Sequence, residues 1–323
     1  MAEKKHTAFA LLQILQEESD ENHILTVNEL IEKINVKCNV SIERRTLYSN
    51  IEILRQAGYE ISDYNDNRKG YYLITRQFEK GEVLLLCNAI HASHFISKKQ
   101  SEELIGKLLG TLSETQRHEF RDSVYLPNRL KSDNSSLFYN IEIISEAIRD
   151  QKQLSFSYLH YNGKKKLTVK REEPYIVEPR YIVYQDSRPY LISTNPKYAD
   201  YTHYRIDKIR DPLILPEPVR PLRKREENEA YRYAENKLFM FAGETIPVQY
   251  RCEERIMDQM IDIFGTQLRA LPENPGYFTA MVNTTEAGAL FLAQQFLDAI
   301  EIQEPAYLKE EMKKRLRNNL ARL

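Results

Sequence analysis

RPYLISTNPKYADYTHYRIDKIR, residues 188–210, contains the pattern on which the prediction of the central fold depends. Residues 189–192 are apolar or aromatic, which is typical of a buried strand. The Asn-Pro-Lys at 195–197 ends this strand, because proline cannot donate a hydrogen bond to a β-ladder. Residues 204–209 then alternate in character, so we predict a second strand after a turn.

The second predicted strand carries charges that packing alone does not require. A strand with Arg205 and Lys208, beside one with Tyr190, would hold cationic and aromatic groups in fixed directions. Such an arrangement suits an anionic or nucleotide-like ligand. The alternative is that Arg205 and Asp207 simply pair within the sheet. By alternation, one face of this strand presents Tyr204, Ile206 and Lys208, and the other presents Arg205, Asp207 and Ile209.

This stretch resembles the signature of the WYL domain, in which an aromatic-Tyr-Leu strand precedes a strand that contains arginine and ends in a basic residue and isoleucine. The chain departs from the family at Pro189, which stands where the family has its aromatic residue, and it contains no tryptophan. The resemblance implies a sheet face that receives an effector, in some members a nucleotide or nucleic acid. It assigns that role to Tyr190, Tyr204, Arg205 and Lys208, and strand alternation adds Tyr158, His160 and Arg171 as weaker candidates.

Short strands surround this stretch. Residues 154–161, 167–171 and 175–183 each show a strand pattern, and Asn-Gly at 162–163 is a strong hairpin turn signal. Many short strands with little helix indicate a small, strongly bent sheet or partial barrel. The resemblance implies that this is an Sm-like WYL domain, which we assign to residues 151–215. Between residues 152 and 210 there are twelve Lys or Arg and six Asp or Glu, so positive charge is concentrated here.

Composition limits the other possibilities. The 323 residues suffice for two or three domains, and the net charge of −1 means that any basic surface is local. The three cysteines lie far apart, which fits a reducing cytoplasm. The sequence shows no signal peptide, no membrane-spanning run and no glycine-rich cofactor motif, so we expect a cytoplasmic protein without a cofactor.

Residues 1–76 predict a winged helix-turn-helix. Residues 7–15 predict a first helix that packs Phe9 inward, and Thr26 with Glu29 forms a capping box for a second. A third helix follows Ser41 and ends at Gly58. Strands at 59–64 and 71–74, around a turn at 65–70, would form the wing. The inward residues of the third helix are Leu47, Ile51 and Leu54.

The outer face of the third helix predicts DNA contact. Arginine and asparagine can read bases in the major groove, and hydroxyl side chains suit phosphates. The segment also resembles the N-terminal winged helix found ahead of WYL domains. The alternative is a three-helix interaction domain with a solvated charged helix. The predicted DNA-binding residues are Arg44, Arg45, Thr46, Tyr48, Ser49 and Asn50 on the helix, and Arg68 and Lys69 at the wing.

The remaining segments complete the domain prediction. Residues 77–150 predict a helical segment, and the family resemblance implies that it is a linker that pairs across a dimer. Cys87, His91 and His94 share one side of a helix there, and we expect a buried or interface role and no metal. Prolines at 212, 216, 218 and 221 predict an exit linker with a short helix over 216–242. Residues 243–323 predict an α+β sandwich that resembles the extension after WYL domains.

These patterns together predict a multidomain α+β protein and no enzyme. We expect a sequence-specific transcriptional regulator that binds duplex DNA as a homodimer and senses a nucleotide or nucleic-acid-like effector. Two alternatives remain. One is an enzyme that uses its winged helix for targeting, although no catalytic set stands at useful spacing. The other is a nucleic-acid-binding, defence-associated protein that does not regulate transcription.

Overall fold

The computed structural model describes residues 2–62, 64–123, 131, 135–185, 187–195, 201–222, 233, 240, 241 and 243–322. The chain divides into two compact units, Met1–Ser135 and Ser136–Leu323. Mixed helix and sheet were predicted, and this fold class is confirmed. Across the described ranges, every helix is too short or insufficiently apolar to cross a lipid bilayer.

Three helices form the head of the first unit: α1 (Ala2–Glu18), α2 (Val27–Cys38) and α3 (Arg44–Gln56). The predicted capping box is present, because Thr26 Oγ1 accepts from the Glu29 N–H and Glu29 Oε2 accepts from the Thr26 N–H. The predicted cap at Ser41 is wrong: α3 begins after Glu43, without a side-chain cap. The core contains the predicted Leu47, Ile51 and Leu54 together with Leu11, Ile14, Leu15, Leu30 and Ile34.

The inward placement of Phe9 is wrong. Its side chain is 69% exposed, whereas Ala8, Leu11 and Leu15 are buried. These three positions follow the i, i+3, i+7 spacing of one helical face, and residue 9 lies about 100° around the axis from residue 8. The sequence contains two overlapping apolar stripes on α1, and packing selects the one without Phe9.

The wing is smaller than the predicted hairpin. Only isolated bridges, Leu25 to Tyr71 and Ile61 to Leu73, replace the two strands, and a short helix α4 (Tyr64–Asn67) occupies the turn. The Asn67 side chain accepts from the N–H groups of Lys69 and Gly70, a local bond that competes with strand pairing. Gly70 is required because a Cβ there would lie 2.1 Å from the carbonyl oxygen of Leu25.

Three further helices complete the first unit: α5 (Lys80–Ala92), α6 (Lys98–Leu109) and α7 (Glu114–Ser123). They pack around Val83, Cys87, Leu112 and Phe120. Arg76 attaches this bundle to the head by donating to the carbonyls of Gln16 and Thr111. A guanidinium is well suited to the end of α1 because helix C-termini carry partial negative charge and unpaired carbonyls.

The second unit begins with α8 (Leu137–Arg149), which packs against a curled half-barrel sheet. The strand order is β2-β1-β3-β4-β5, and β6 pairs with the other edge of β1. We predicted α8 as part of the 77–150 linker, but its buried Leu137, Ile144 and Ala147 place it in the sheet's core. The strands are β1 (Lys152–Tyr161), β2 (Leu167–Val169), β3 (Tyr175–Gln185), β4 (Arg188–Thr194), β5 (Tyr201–Arg205) and β6 (Ile209–Pro218).

Two predictions about this sheet are wrong. The alternating strand over 204–209 is interrupted, because a single 3-10 turn at Ile206–Lys208 separates β5 from β6. The exit linker that we expected from Pro212 is the strand β6. Among the described strands β6 pairs only with β1, so its prolines lie on an edge strand, where a missing N–H is tolerated. A register shift between Ser155 and Ser157 accommodates Pro212.

The C-terminal sheet has the antiparallel order β10-β7-β9-β8. The predicted β-α-β-α-β-α succession is present, with one additional strand, β8, that the sequence did not indicate. On the helices of this sandwich, Leu290, Leu308 and Met312 are buried, whereas Phe291, Leu316 and Leu320 are exposed. The elements are β7 (Thr245–Glu253), α9 (Met257–Phe264), β8 (Arg269–Pro272), β9 (Tyr277–Thr285), α10 (Glu286–Gln295), β10 (Ile300–Glu304) and α11 (Ala306–Leu320).

Two predictions fall partly outside the described residues. They concern the turn at 195–197 and the short helix over 216–242. In the last of these, Tyr233 is described.

Asp20 provides a stability prediction for the first unit. Its buried carboxylate accepts from the N–H groups of Asn22 and His23 and from Ser113 Oγ, at 2.9, 2.9 and 2.6 Å. Burial opposes ionisation, but the hydrogen bonds from Ser113 and His23 prevail and lower the pKa of Asp20 below its ordinary value of 3.8. We expect Asp20→Ala to reduce the free energy of unfolding by about 3 kcal/mol, because three donors, including the buried Ser113 hydroxyl, lose their acceptor.

Native-state hydrogen exchange of α1 and α7 would measure this loss, with exposed Glu21→Ala as the control that changes little. Because the folded-state pKa is lowered, the stabilisation is present above pH 3.8 and is lost as pH falls through the folded value. The difference between wild type and Asp20→Ala should therefore shrink in acid. Equal protection of the two proteins at neutral pH would contradict the assignment.

Candidate functional site

Arg205, at the end of β5, is the centre of the candidate site. Its backbone N–H donates to the hydroxyl of Tyr158 at 3.1 Å, which fixes the strand end. Its guanidinium makes a two-pronged pair with Asp207, with Nε to Oδ1 at 3.0 Å and Nη2 to Oδ2 at 2.6 Å. Among the described residues Nη1 has no hydrogen-bond partner, and the side chain is 24% exposed. Arg205 therefore keeps donor capacity that faces solvent.

A second arginine in the same sheet differs from Arg205 in exposure and in the number of nitrogens with a partner. Arg180 is only 8% exposed, and all three of its nitrogens donate: Nε to Thr194, Nη1 to the Arg220 carbonyl and Nη2 to Glu178. This network joins β3, β4 and the segment after β6, and each of the three guanidinium nitrogens has a partner. Arg180 is a structural ion pair, whereas Arg205 resembles a binding group.

Lys208 lies in a cluster of positive charge. Burial is the largest cause that lowers the pKa of its ammonium. The charges of Arg205, Arg188 and Lys170 lower this pKa further, whereas the charge of Asp207 raises it. Three cations thus act on Lys208, and Asp207 opposes them. An anion placed there would relieve the repulsion, so the electrostatics favour an acidic ligand.

Aromatic rings continue this surface. Tyr158 and Tyr204 cross at 77° with ring centroids 5.3 Å apart, and Tyr175 lies 5.4 Å from Tyr204. The guanidinium of Arg171 lies 3.6 Å from the centre of the Tyr175 ring. Burial raises the pKa of Tyr158 to about 12, so its phenol stays neutral at physiological pH. The rings supply flat apolar area beside the cations, as stacking of a base requires.

The structure brings most of the predicted effector residues together. Tyr158 links the cationic cluster to the rings, since its hydroxyl contacts Arg205 and its ring contacts Tyr204. Tyr190 pairs with Arg205 in the sheet but is buried, so it supports the site from beneath. His160 lies farther along β1, opposite Thr168, and no described contact joins it to Arg205.

Three contributors were missed by sequence reasoning. Arg188 begins β4, Tyr175 begins β3 and Lys170 follows the end of β2, and the fold brings them near Lys208 or Tyr204. The excess of basic residues over 152–210 was the available signal, but it did not indicate which of them converge. The pairing of Arg205 with Asp207, considered as an alternative, does occur, and it leaves part of the guanidinium available.

The predicted DNA-binding residues of α3 mostly form an outer face. Arg44, Arg45, Tyr48 and Ser49 are exposed, and Thr46 is half-buried. Arg44 Nη2 donates to Asn28 Oδ1 at 3.1 Å, which joins α3 to α2 across the turn. The wing residues Arg68 and Lys69 are exposed as well.

Asn50 was predicted to contact DNA, but it belongs to the core. It is fully buried, and its amide donates to Thr7 Oγ1 at 3.1 Å, which attaches α3 to α1. Positions 47, 50, 51 and 54 follow the i, i+3, i+4, i+7 spacing of a single helical face. This spacing in the sequence indicated a buried position, but the polar side chain of asparagine suggested an exposed one. Asn50 therefore does not reach DNA bases.

Cys87 is buried in the core of α5–α7, and burial raises the pKa of its thiol. A search of the described side chains finds no group of three His, Cys, Asp or Glu arranged to hold a metal ion.

Comparison with known proteins agrees with the geometry of the central sheet. The WYL domain family matches residues 139–213, a range that includes most of α8. Proteasome accessory factor B/C (PafBC) of Arthrobacter aurescens aligns with 96% of this chain at 17% identity and a TM-score of 0.28, and the chain covers about half (47%) of that protein.

A second solved structure, described as a CRISPR Cas-related protein, aligns with 98% of this chain and 84% of its own, at 13% identity and a TM-score of 0.37. Both TM-scores are too low to support conclusions about this chain. Among curated protein sequences, none matches it significantly.

Proposed function

We propose that this chain, which carries a WYL domain at residues 139–213, is a transcriptional regulator that binds duplex DNA and senses an anionic, nucleotide-like effector. The observation that carries the proposal is the partly exposed guanidinium of Arg205, whose Nη1 is uncommitted among the described residues. It lies in a region where Arg188, Lys170 and Lys208 concentrate positive charge. A phosphate group fits this environment, because guanidinium forks bind it through paired hydrogen bonds.

The neighbouring rings favour a ligand that has a base as well as a phosphate. Tyr204 and Tyr175 are partly exposed side chains, and the guanidinium of Arg171 lies over the Tyr175 ring. Free inorganic phosphate would use the cations alone, whereas a nucleotide or a single strand of nucleic acid would use both groups. The proposed effector is therefore a nucleotide or a short single-stranded nucleic acid.

DNA binding is proposed for the exposed face of α3. Arg44 and Arg45 can contact bases or phosphates, and Tyr48 and Ser49 add hydroxyl donors. We propose a homodimer that reads two half-sites, because Leu85 on α5 is 70% exposed and suits an apolar contact between copies. We propose a cytoplasmic location, which suits the free thiols of Cys38, Cys87 and Cys252. Binding, and no turnover, is the activity proposed for the site.

The effector site can be tested with a fluorescent single-stranded oligonucleotide and anisotropy. Arg205→Ala should weaken binding about 10-fold to 100-fold, because it removes a charge-assisted contact worth about 1.5–3 kcal/mol. Asp207→Asn should strengthen binding several-fold, because the carboxylate no longer competes with the ligand for the Arg205 guanidinium. The control is Glu178→Gln, the same chemical change on the enclosed Arg180 pair, which should leave affinity unchanged if the variant is folded.

Equal weakening by Glu178→Gln and Arg205→Ala would show a general effect on folding and would contradict the assignment of the site. Wild-type protein that binds neither the oligonucleotide nor mononucleotides would refute the proposed effector class.

The DNA-binding face can be tested by selecting bound sequences from a random duplex pool. Wild type should enrich a palindromic motif, and Arg44→Ala/Arg45→Ala should not, because it removes two cations from α3. The matched control is Lys98→Ala/Lys99→Ala, which removes two well-exposed cations from α6 in the same unit and should retain the motif. If the α3 variant enriches the same motif as wild type, the reading face lies elsewhere.

A further inference from the structure

A second buried asparagine, Asn140, lies in the first turn of α8. Its backbone N–H donates to the Ser136 carbonyl, as helix geometry requires, and its side chain is fully buried. The amide Nδ2 reaches out of the helix to two backbone carbonyls, that of Ile209 at 2.8 Å and that of Ile206 at 3.3 Å. These carbonyls stand on either side of Asp207 and Lys208, in the turn that follows Arg205.

The neutral NH₂ group of Asn140 can donate to both carbonyls at this position. A carboxylate would place negative charge against two acceptors, and an apolar side chain would leave them without this donor. The amide oxygen of Asn140 has no hydrogen-bond partner among the described residues, which is unfavourable for a buried polar atom. A polar side chain at this buried position therefore serves the turn more than it serves the helix core.

We infer that Asn140 is the positioning residue of the anion site and that it links the effector turn to the first turn of α8. The inference deepens the proposed function and rests on it for the identity of the ligand. The link itself depends on the two hydrogen bonds from Nδ2.

The chemistry of the turn explains how the link would respond to a ligand. An anion at Arg205 competes with Asp207, whose carboxylate lies within the same turn that Asn140 holds. The side chains of Ile206 and Ile209 are fully buried, so the turn has little room to adjust independently of its neighbours. α8 is the first element of the second unit, and Asn140 is in its first turn. A change in the turn is therefore communicated to the place where the chain enters this unit.

The first arm of the test needs no ligand. Hydrogen–deuterium exchange on full-length protein should show that Asn140→Ala speeds exchange of peptides over residues 203–210 about tenfold, since the turn loses a buried donor. Asn140→Asp should have a larger effect, although it is closer in shape. The matched control is Asn50→Ala, which removes an equally buried amide in the first unit and should leave residues 203–210 unchanged.

The second arm adds the single-stranded oligonucleotide. In wild type, saturating probe should change exchange over both 203–210 and 137–143. In Asn140→Ala the probe should bind about tenfold more weakly, and at saturation the change over 137–143 should be lost, because the hydrogen bonds that link the two segments are absent.

The outcomes separate this inference from the proposed function. If ligand-free Asn140→Ala exchanges over 203–210 as wild type does, the positioning role is overturned. If the probe still alters 137–143 in that variant, the link through Asn140 is overturned. If wild type does not bind the probe, the effector proposal fails, and the ligand-free arm still decides the positioning role. Should Asn140→Ala fail to fold, the ligand-free comparison is made with Asn140→Ser, which retains a shorter donor.

Discussion

The ion pair between Arg205 and Asp207 is the interaction on which the candidate site depends. Both residues belong to one short segment, so the pair sets the end of β5 and the shape of the turn that follows. Two supports hold this segment in place, the Tyr158 hydroxyl at the Arg205 N–H and the Asn140 amide at the carbonyls of the turn. The cationic surface is thus rigid in its backbone while its guanidinium remains partly accessible.

Two arginine–carboxylate pairs in the central sheet differ in how deeply they are buried. The Arg180 pair is enclosed, with every guanidinium nitrogen occupied, and removing a partner from such a pair is strongly destabilising. The Arg205 pair is partly open and surrounded by Lys208, Arg188 and Lys170, so that an incoming anion has both a donor and a favourable field. Residue type alone does not distinguish these arginines; the number of occupied donors does.

Local signals in the sequence were sufficient for much of the fold. The capping box at Thr26, the inward face of α3 and most strands of the central sheet follow from short-range chemistry and periodicity. The incorrect predictions concern residues whose structure depends on partners that are distant in the sequence. β6 continues through three prolines because it lies at a sheet edge beside β1. Asn50 lies on the inward face of α3, and its buried amide is satisfied by Thr7, a partner distant in the sequence. The convergence of Lys170 and Arg188 on Lys208 depends on sheet curvature, which no local pattern encodes.

The central claim is that an anion bound at Arg205 changes the affinity of the protein for duplex DNA. The most direct measurement is the dissociation constant for the selected duplex, with and without saturating single-stranded oligonucleotide, in wild type and in Arg205→Ala. The account predicts a change of about 5-fold or more in wild type, as is typical of coupled sites, and none in the variant. An unchanged wild-type affinity, or an equal change in Arg205→Ala, would contradict it.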